Sequence, residues 1–415
     1  MRASTYPLVD VDEAAALVLE RTPVLPAEPV ALGEAAGRVL AADLRAPHSL
    51  PAFPSSAVDG YAIRSADAGR TLQVLGESAA GRPFDAAIDA GTAARILTGG
   101  AVPEGADAVV MMEDVAVHGE TVTVPGDVRA GSNFHRPGAD VKAGELVLRA
   151  GAAMGAAEIG LAAALGFASL DVRRRPRVAL MSTGDELVEV GKKLGDGQIH
   201  DSNRWALLAA LREAGADVRN LGIAPDEPEA LRRLVEEALE RADAVVTSGG
   251  VSVGSHDLVK PLLESLGTVH IGRVKLKPGK PFTFATIPSP GTGAGQGAGA
   301  VRLAFGLPGF PVSSLVTFEV FVRPALRKLQ GFAQLQRPTL PVRLGYDARA
   351  SVERTEYQRV MLGRDQVGLV AETTGSQSSS RLLSLAGAHA LVRIPAGDQG
   401  IKAGSVVEAM ILSLP

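Results

Sequence analysis

Val245-Val-Thr-Ser-Gly-Gly-Val-Ser-Val-Gly-Ser-His-Asp257 runs from apolar β-formers straight into two glycines, hydroxyls and a carboxylate. Glycines let backbone N–H groups approach an anion, and a helix N-terminus following such a loop adds favourable partial charge. Two more loops of this kind lie downstream, Lys277-Pro-Gly-Lys280-Pro281 and Leu307-Pro-Gly-Phe310-Pro311-Val-Ser313-Ser314. Each follows a strand-like run, and two lead toward helical segments. Together, with two lysines between them, they describe a nucleotide or phosphate-ester pocket at the carboxyl ends of a parallel sheet.

The flanking sequence supplies that sheet. After Arg173-Arg-Arg-Pro-Arg177 the pattern alternates: strand over Val178–Ser182, helix over Asn203–Ala214, strand over Asp217–Leu221, helix over Glu227–Arg241 and strand over Ala244–Thr247. Pro261–Leu266, Val269–Leu276, Phe282–Ile287, Leu303–Leu307 and Ser313–Leu329 continue it. Such alternation predicts an α/β domain with a largely parallel sheet. Pro288–Ala300, rich in glycine, reads as a mobile hairpin loop between two of its strands.

Outside this region the texture changes. A short helix is expected over residues 10–21, and a second short helical pattern over Glu34–Ala46 that ends in an extended run. From Pro47 to about Gly144, pieces such as Thr71–Leu75 and Thr121–Val124 lie between Gly, Pro and Asp, as in a small β-rich domain. Ala152–Ala168 is the most apolar stretch; Glu158 and three glycines interrupt it, so it reads as a buried helix and not a membrane span. Beyond Gly331, Leu340–Leu344, Gln358–Leu362 and Leu391–Ile394 predict a small C-terminal β domain. The expected organisation is residues 1–24 with 172–330 as the α/β domain, 25–46 with 145–171 as a helical linking domain, 47–144 as the β-rich insert and 331–415 as the C-terminal domain.

Composition narrows the function classes. The 415 residues carry a net charge of −4 and are 46% hydrophobic, which fits folded cores and gives no general attraction to nucleic acid or anionic membrane. There is no cysteine, so thiolate metal sites, disulfides and a cysteine nucleophile are excluded. The N-terminus lacks the apolar run of a signal peptide, and the expected location is the cytoplasm.

Carboxylates gather at predicted strand ends. Asp185 and Glu186 lie in Met181-Ser-Thr-Gly-Asp-Glu-Leu187, Asp226 in Pro225-Asp-Glu227, and Asp257 closes the opening stretch. Hard oxygen donors at three strand ends point to Mg²⁺ bridging substrate phosphates. Within Ile199-His-Asp-Ser-Asn203, Asp201, Ser202 or Asn203 is either a helix N-cap or a donor to a nucleotide or pterin ring. In the insert, Ser55-Ser-Ala-Val-Asp59-Gly-Tyr-Ala62, Leu97-Thr98-Gly-Gly through Glu113, and Phe134-His-Arg-Pro-Gly-Ala-Asp140 are dense turn motifs.

Taken jointly, these motifs resemble the molybdopterin molybdenumtransferase family, relatives of the gephyrin E domain. A-V-D-G-Y-A, L-T-G-G-A-V-P-E-G-A-D-A-V-V, S-T-G-D-E-L, D-S-N, S-G-G-V-S-V-G-S-H-D, K-P-G-K-P, L-P-G-F-P-V-S, R-T-E-Y-Q-R and G-S-Q-S-S-S-R match in the family's order across residues 57–381. The resemblance implies a four-domain homodimer that inserts molybdate into adenylylated molybdopterin. It implies a site shared between the α/β domain of one subunit and the β-rich domain of the other. Glu186, Asp226 and Asp257 would hold Mg²⁺ and the adenylylated substrate. Ser202, Asn203, Ser248, Gly249, Gly250, Ser252, Pro308 and Pro311 would line the substrate loops. Lys277, Lys280, Ser313, Arg354, Arg359 and Ser379 would form the molybdate side, and Asp59, Thr98 and Asp140 would come from the partner. Lysine, arginine, hydroxyl and backbone N–H donors suit a tetrahedral dianion.

Three positions depart from the family pattern: Phe310 stands where asparagine is usual, His135 replaces an arginine, and Ala139 replaces a glutamate. Adenylyl transfer to molybdopterin is a second reading, carried by the α/β domain alone in smaller relatives. A scaffold without chemistry is a third. The β-rich insert and C-terminal domain speak against the second, and Asp59, Glu186, Asp257, Lys277 and Lys280 against the third.

Overall fold

The computed structural model describes residues 6–225, 227–250, 258–289 and 301–413. The chain divides into two compact units, one of Met1–Glu28, Gly37–Ala41 and Val172–Pro415, the other of Pro29–Ala36 and Ala42–Asp171.

In the first unit a six-stranded sheet has the order Asp217–Ala224, Arg177–Thr183, Ala244–Ser248, Val301–Leu307, Thr283–Pro288, Thr268–Ile271. The first four strands are parallel, and Thr283–Pro288 runs antiparallel to both its neighbours, Val301–Leu307 and Thr268–Ile271. The central strand, Ala244–Ser248, is buried at every position, as a strand covered on both faces must be. Phe282, Phe284, Phe305, Phe318 and Phe321 fill one side of the sheet together with Val11, Ala14 and Val18 of the first helix, Val11–Arg21. On the opposite side, Pro228–Arg241 and Val259–Leu266 bring Leu231, Val235, Leu262 and Leu263 against Met181 and Val245. The parallel strands therefore all point their carboxyl ends the same way, where the loops of interest emerge.

Two segments expected to be simple are not. Val269–Leu276 is not one strand: Thr268–Ile271 is the sheet edge, while Leu276–Lys277 leaves to pair in parallel with Thr355-Glu356. Ser313–Leu329 lies within a helical run that is α over Pro311–Thr317, π over Phe318–Val322 and α again over Arg323–Leu329. Pro324 has no N–H to donate back to the preceding turn, and a widened turn is a common accommodation.

The C-terminal strands form a ring. Thr355–Arg364, Leu369–Thr373, Thr339–Leu344, Val406–Ile411 and Ala390–Ile394 pair in that order, and Ala390–Ile394 returns to Thr355–Arg364. Val342, Leu344, Val360, Val392 and Ile394 fill its interior. Closure removes free sheet edges.

The second unit is built on a six-stranded sheet ordered Ala108–Met111, Gly60–Ile63, Thr92–Ile96, Thr71–Ser78, Thr121–Thr123, Ala116–His118. Its core is Tyr61, Ile63, Leu72, Val110 and Val122. The apolar Ala152–Ala168 stretch forms a helix only over Ala156–Ala164, and of these residues only Ala162 is fully buried, contrary to the expected buried helix. Small side chains leave little apolar surface for a core to cover. The helix expected within Glu34–Ala46 is also absent: a single 3₁₀ turn at Leu32–Glu34 gives way to Gly37, whose φ of +73° no α-helix accommodates. The extended run predicted at its end appears as Leu44–Arg45.

Candidate functional site

Four loops of the first unit are tied to one another at the carboxyl edge of the sheet. Asn203 makes the first connection: its side-chain amide donates to Ser248 Oγ at 2.9 Å and to the Gly309 carbonyl at 2.6 Å. The second is backbone, with Gly249 N–H donating to the Leu307 carbonyl at 3.1 Å. Gly249 has φ +92°, and a Cβ there would lie 2.4 Å from the Thr183 carbonyl oxygen, so no side chain fits. Gly250, at φ +66°, packs as closely against the Thr183 hydroxyl. The loop after Ala244–Ser248 is thus pressed onto the loop after Arg177–Thr183.

The lysine loop packs against the same region. A Cβ on Gly279 would come within 2.7 Å of Thr317 Cγ2, which places Lys277-Pro-Gly-Lys280 on the helix that carries Ser313. Ser313 is buried, and its carbonyl accepts the Thr317 hydroxyl at 2.7 Å. At the start of that helix, Val312 N–H donates to the Ser379 carbonyl at 3.1 Å, joining the serine loop of the C-terminal domain to the Leu307–Ser314 loop. Pro308 is buried and Pro311 half-buried in the turn between them, while Phe310 is 60% exposed.

Charge around this cluster is arranged in two tiers. Lys280 is exposed, and Lys277 and Arg354 are half-buried. Lys277 Nζ lies 3.1 Å from Glu356, a carboxylate only 4% exposed. Arg359 lies behind them with no exposed surface, donating Nε to Ser384 Oγ and one terminal nitrogen to the Ser378 carbonyl, both at 3.1 Å. Its other terminal nitrogen has no partner. Burial lowers the Arg359 pKa to about 10, against the opposing pull of Glu356 and Tyr346. Arg359 supports the serine loop from below, and in this conformation does not form the pocket wall.

Of the three carboxylates expected at a metal, Glu186 is exposed at the strand end, its carboxylate folded over Gly184. Asp226 and Asp257 lie outside the described residues, as does Ser252. Among the described residues no three His, Cys, Asp or Glu side chains gather at metal-binding distance. Within the Asp201–Asn203 turn the roles divide: Asp201 is the N-cap, accepting Arg204 N–H at 3.1 Å, Ser202 is exposed, and Asn203 faces the loops.

In the second unit Asp59 and Thr98 form a pair. Asp59 Oδ1 accepts the Thr98 backbone N–H at 2.7 Å and its hydroxyl at 2.8 Å. These two bonds, the backbone one first, hold the fully exposed Asp59 carboxyl below its usual range. The third insert motif approaches through main chain: Phe134-His135 pairs with Ser55-Ser56, and Ser55 also bridges Ala101. Asp140 is exposed, its backbone N–H bound to the Leu50 carbonyl at 3.0 Å. Asp59 and Thr98 are therefore in contact, while Asp140 sits on the neighbouring turn.

Sequence reasoning passed over Glu356 and the buried Arg204. Glu356 carried a signal, a carboxylate inside an otherwise buried strand of alternating apolar and polar residues. Arg204 reads from sequence as an ordinary helical surface residue, because its partners come from three separate segments.

These motifs sit on a fold with known relatives. Residues 9–166 match the MoeA N-terminal region (domain I and II), 179–328 a probable molybdopterin binding domain, and 341–412 the MoeA C-terminal region (domain IV). A molybdopterin molybdenumtransferase of Haemophilus influenzae is 36% identical over 96% of this chain and 98% of its own length. The chain belongs to the molybdopterin molybdenumtransferase family. A gephyrin of Dictyostelium discoideum is 37% identical over 99% of this chain, which spans 63% of that protein. Among solved structures, a molybdopterin biosynthesis MoeA protein of Pyrococcus horikoshii superposes with a TM-score of 0.83 at 30% identity, over 99% of this chain and all of that one. The family's multidomain α/β and β architecture is the one described above, and no helix among the described residues is long and apolar enough to cross a membrane.

Proposed function

We propose that this chain is a molybdopterin molybdenumtransferase: it takes adenylylated molybdopterin and molybdate, hydrolyses the adenylate to release AMP, and yields molybdenum cofactor. The observation that carries the reading is the convergence of the Ser248-Gly249, Gly309–Pro311, Lys277–Lys280 and Ser379 loops at one sheet edge. Such an edge offers backbone N–H groups and hydroxyls to phosphate oxygens. Lys277, Lys280, Arg354 and the Ser313 and Ser379 region present positive charge and hydroxyls to a tetrahedral dianion. Glu356 neutralises part of that charge and fixes the direction of Lys277. Arg359 shapes the serine loop from within.

The carboxylates Glu186, Asp226 and Asp257 offer only hard oxygen donors, a set that fits Mg²⁺. When bound there, the ion would supply charge neutralisation at the substrate phosphates. The protein's part is positioning: Asn203 holds two loops in register, and the glycines keep the floor of the pocket open to an anion. Asp59, Thr98 and Asp140 complete the site from the β-rich unit of a second subunit in a homodimer. The dithiolene sulfurs belong to the substrate, which accords with a chain that has no cysteine. The expected location remains the cytoplasm.

Two substrate pairs test the reading. Purified protein is given adenylylated molybdopterin with molybdate, or molybdopterin with ATP, each with Mg²⁺. AMP release that depends on molybdate with the first pair is expected. Turnover of only the second pair would make the protein an adenylyltransferase, and turnover of neither would leave a scaffold.

A further inference from the structure

We infer that Arg204 is a positioning residue, whose guanidinium holds the Glu186 segment, the Asn203 turn and the bulged middle of the Asp217–Ala224 strand in a single arrangement. It is 2% exposed, and its donors reach three separate segments. Nε donates to Asp201 Oδ2 at 2.7 Å, one terminal nitrogen to Asn220 Oδ1 at 2.8 Å, and the other to both Glu189 oxygens at 2.7 Å. Each partner leads to a piece of the site. Asp201 caps the helix whose first turn presents Asn203, and it also accepts the hydroxyl of Ser182. Glu189 lies three residues after Glu186, at the far end of the short strand Leu187–Val188, which pairs with Ile199–His200 just before Asp201. Asn220 in turn accepts Gly222 N–H at 3.1 Å, where the strand bulges and Leu221 and Gly222 together oppose Met181.

Stability alone does not call for this arrangement. A buried guanidinium with two carboxylates carries a desolvation cost, and apolar residues of similar volume usually stabilise a core as well or better. What the network supplies is orientation, because the planar fork fixes three partners at defined angles. All of its carboxylate and amide partners lie in loops or at the bulge beside the carboxyl edge, and none is in the hydrophobic core. The same guanidinium therefore sets where Glu186 and Asn203 stand.

This inference rests on the proposed role of Glu186 at Mg²⁺, and its test separates the two. Glu189→Gln removes the charge of a half-exposed partner and keeps its shape; Arg204→Lys removes the fork and keeps the charge. Hydrogen–deuterium exchange should quicken in both variants over residues 184–190 and 199–204, with the Val178–Leu180 core strand unchanged. The apparent Mg²⁺ requirement for AMP release should rise roughly tenfold in Glu189→Gln, with kcat restored at saturating Mg²⁺. In a Glu186→Gln background, Glu189→Gln should add nothing further to that requirement. Unchanged exchange in Glu189→Gln, or fully additive effects of the two substitutions, would overturn the inference. If wild-type protein releases no AMP, the functional reading fails on its own, and local exchange alone decides the role of Arg204.

Discussion

Lys277 and Glu356 face each other 3.1 Å apart, the lysine from the Gly-rich loop of the α/β domain and the carboxylate from the C-terminal ring. The lysine side chain is 42% exposed and the carboxylate 4%, so the two ends of the pair respond differently to removal. Truncating the lysine leaves a buried carboxylate without its ion-pair partner and with only the field of the Arg359 guanidinium, whereas neutralising the glutamate leaves an exposed ammonium in water. Lys277→Ala should therefore destabilise the protein by about 1–2 kcal/mol, toward the lower end because the lysine is solvated. Lys277→Ala with Glu356→Gln should recover part of that loss while remaining inactive in molybdenum insertion. Urea unfolding of the single and the double variant checks this; equal losses in the two would mean that Glu356 is satisfied without Lys277.

Thr98 should control the titration of Asp59. The carboxyl is held below its ordinary range by the Thr98 backbone N–H first and the hydroxyl second. Thr98→Ala removes only the second bond, so the Asp59 pKa should rise yet stay below the unfolded value. A pKa depressed in the folded state contributes stability that is present above the unfolded pKa and fades as pH falls through the folded one. In the variant that contribution should be smaller at neutral pH, and what remains should be exhausted at a higher pH as acid is added. Carboxyl NMR titration reads it directly, and an unmoved pKa would remove the hydroxyl from the pair.

Phe310→Asn should keep or raise activity. Phe310 occupies the N-cap of Pro311–Thr317 without a side-chain capping bond and is 60% exposed. Asparagine at an N-cap accepts a helix N–H and stabilises by roughly 1 kcal/mol over a residue that cannot. A higher melting temperature with undiminished AMP release is expected. Loss of activity in a stable variant would make Phe310 an adapted part of this pocket.

Shortening the stretch after Pro288 should leave fold and activity intact. Pro288 pairs directly with Val301, so a turn of a few residues closes the hairpin, and loop-closure entropy changes slowly with length. The stretch itself, residues 290–300, lies outside the described residues. Circular dichroism and AMP release on a variant with a four-residue turn check it; a large fall in either would give the segment a docked role.

The α/β half was legible because its strands are apolar runs ended by glycine and its helices are amphipathic. Val178–Ser182, Asp217–Leu221 and Ala244–Thr247 each lie inside an observed strand. What escaped was non-local or short. The strands Leu369–Thr373 and Val406–Ile411 were not anticipated, because five or six residues of mixed polarity gain their strand character from ring closure. Leu276–Lys277 changes sheets, a choice made by its partner Thr355-Glu356 and not by its own pattern. At the site, the glycine loops and lysines stand out in the sequence, whereas the hydrogen bonds between Asp59 and Thr98 join two separate motifs and are not legible in either. Arg204 and Glu356 do not stand out, since burying a charge is a property of the partners that surround it.

The most direct test concerns how the two halves of the site meet. Asp59 belongs to the β-rich unit and Asp257 to the α/β domain, and in the proposed function they meet across a two-fold homodimer. Asp59→Ala and Asp257→Ala, each first shown to be inactive and dimeric, are mixed and allowed to exchange subunits. About half the dimers should then be mixed, each with one intact site and one doubly damaged site. AMP release should return to roughly a quarter of wild type. No recovery despite verified exchange would place both residues within one subunit and contradict the shared site.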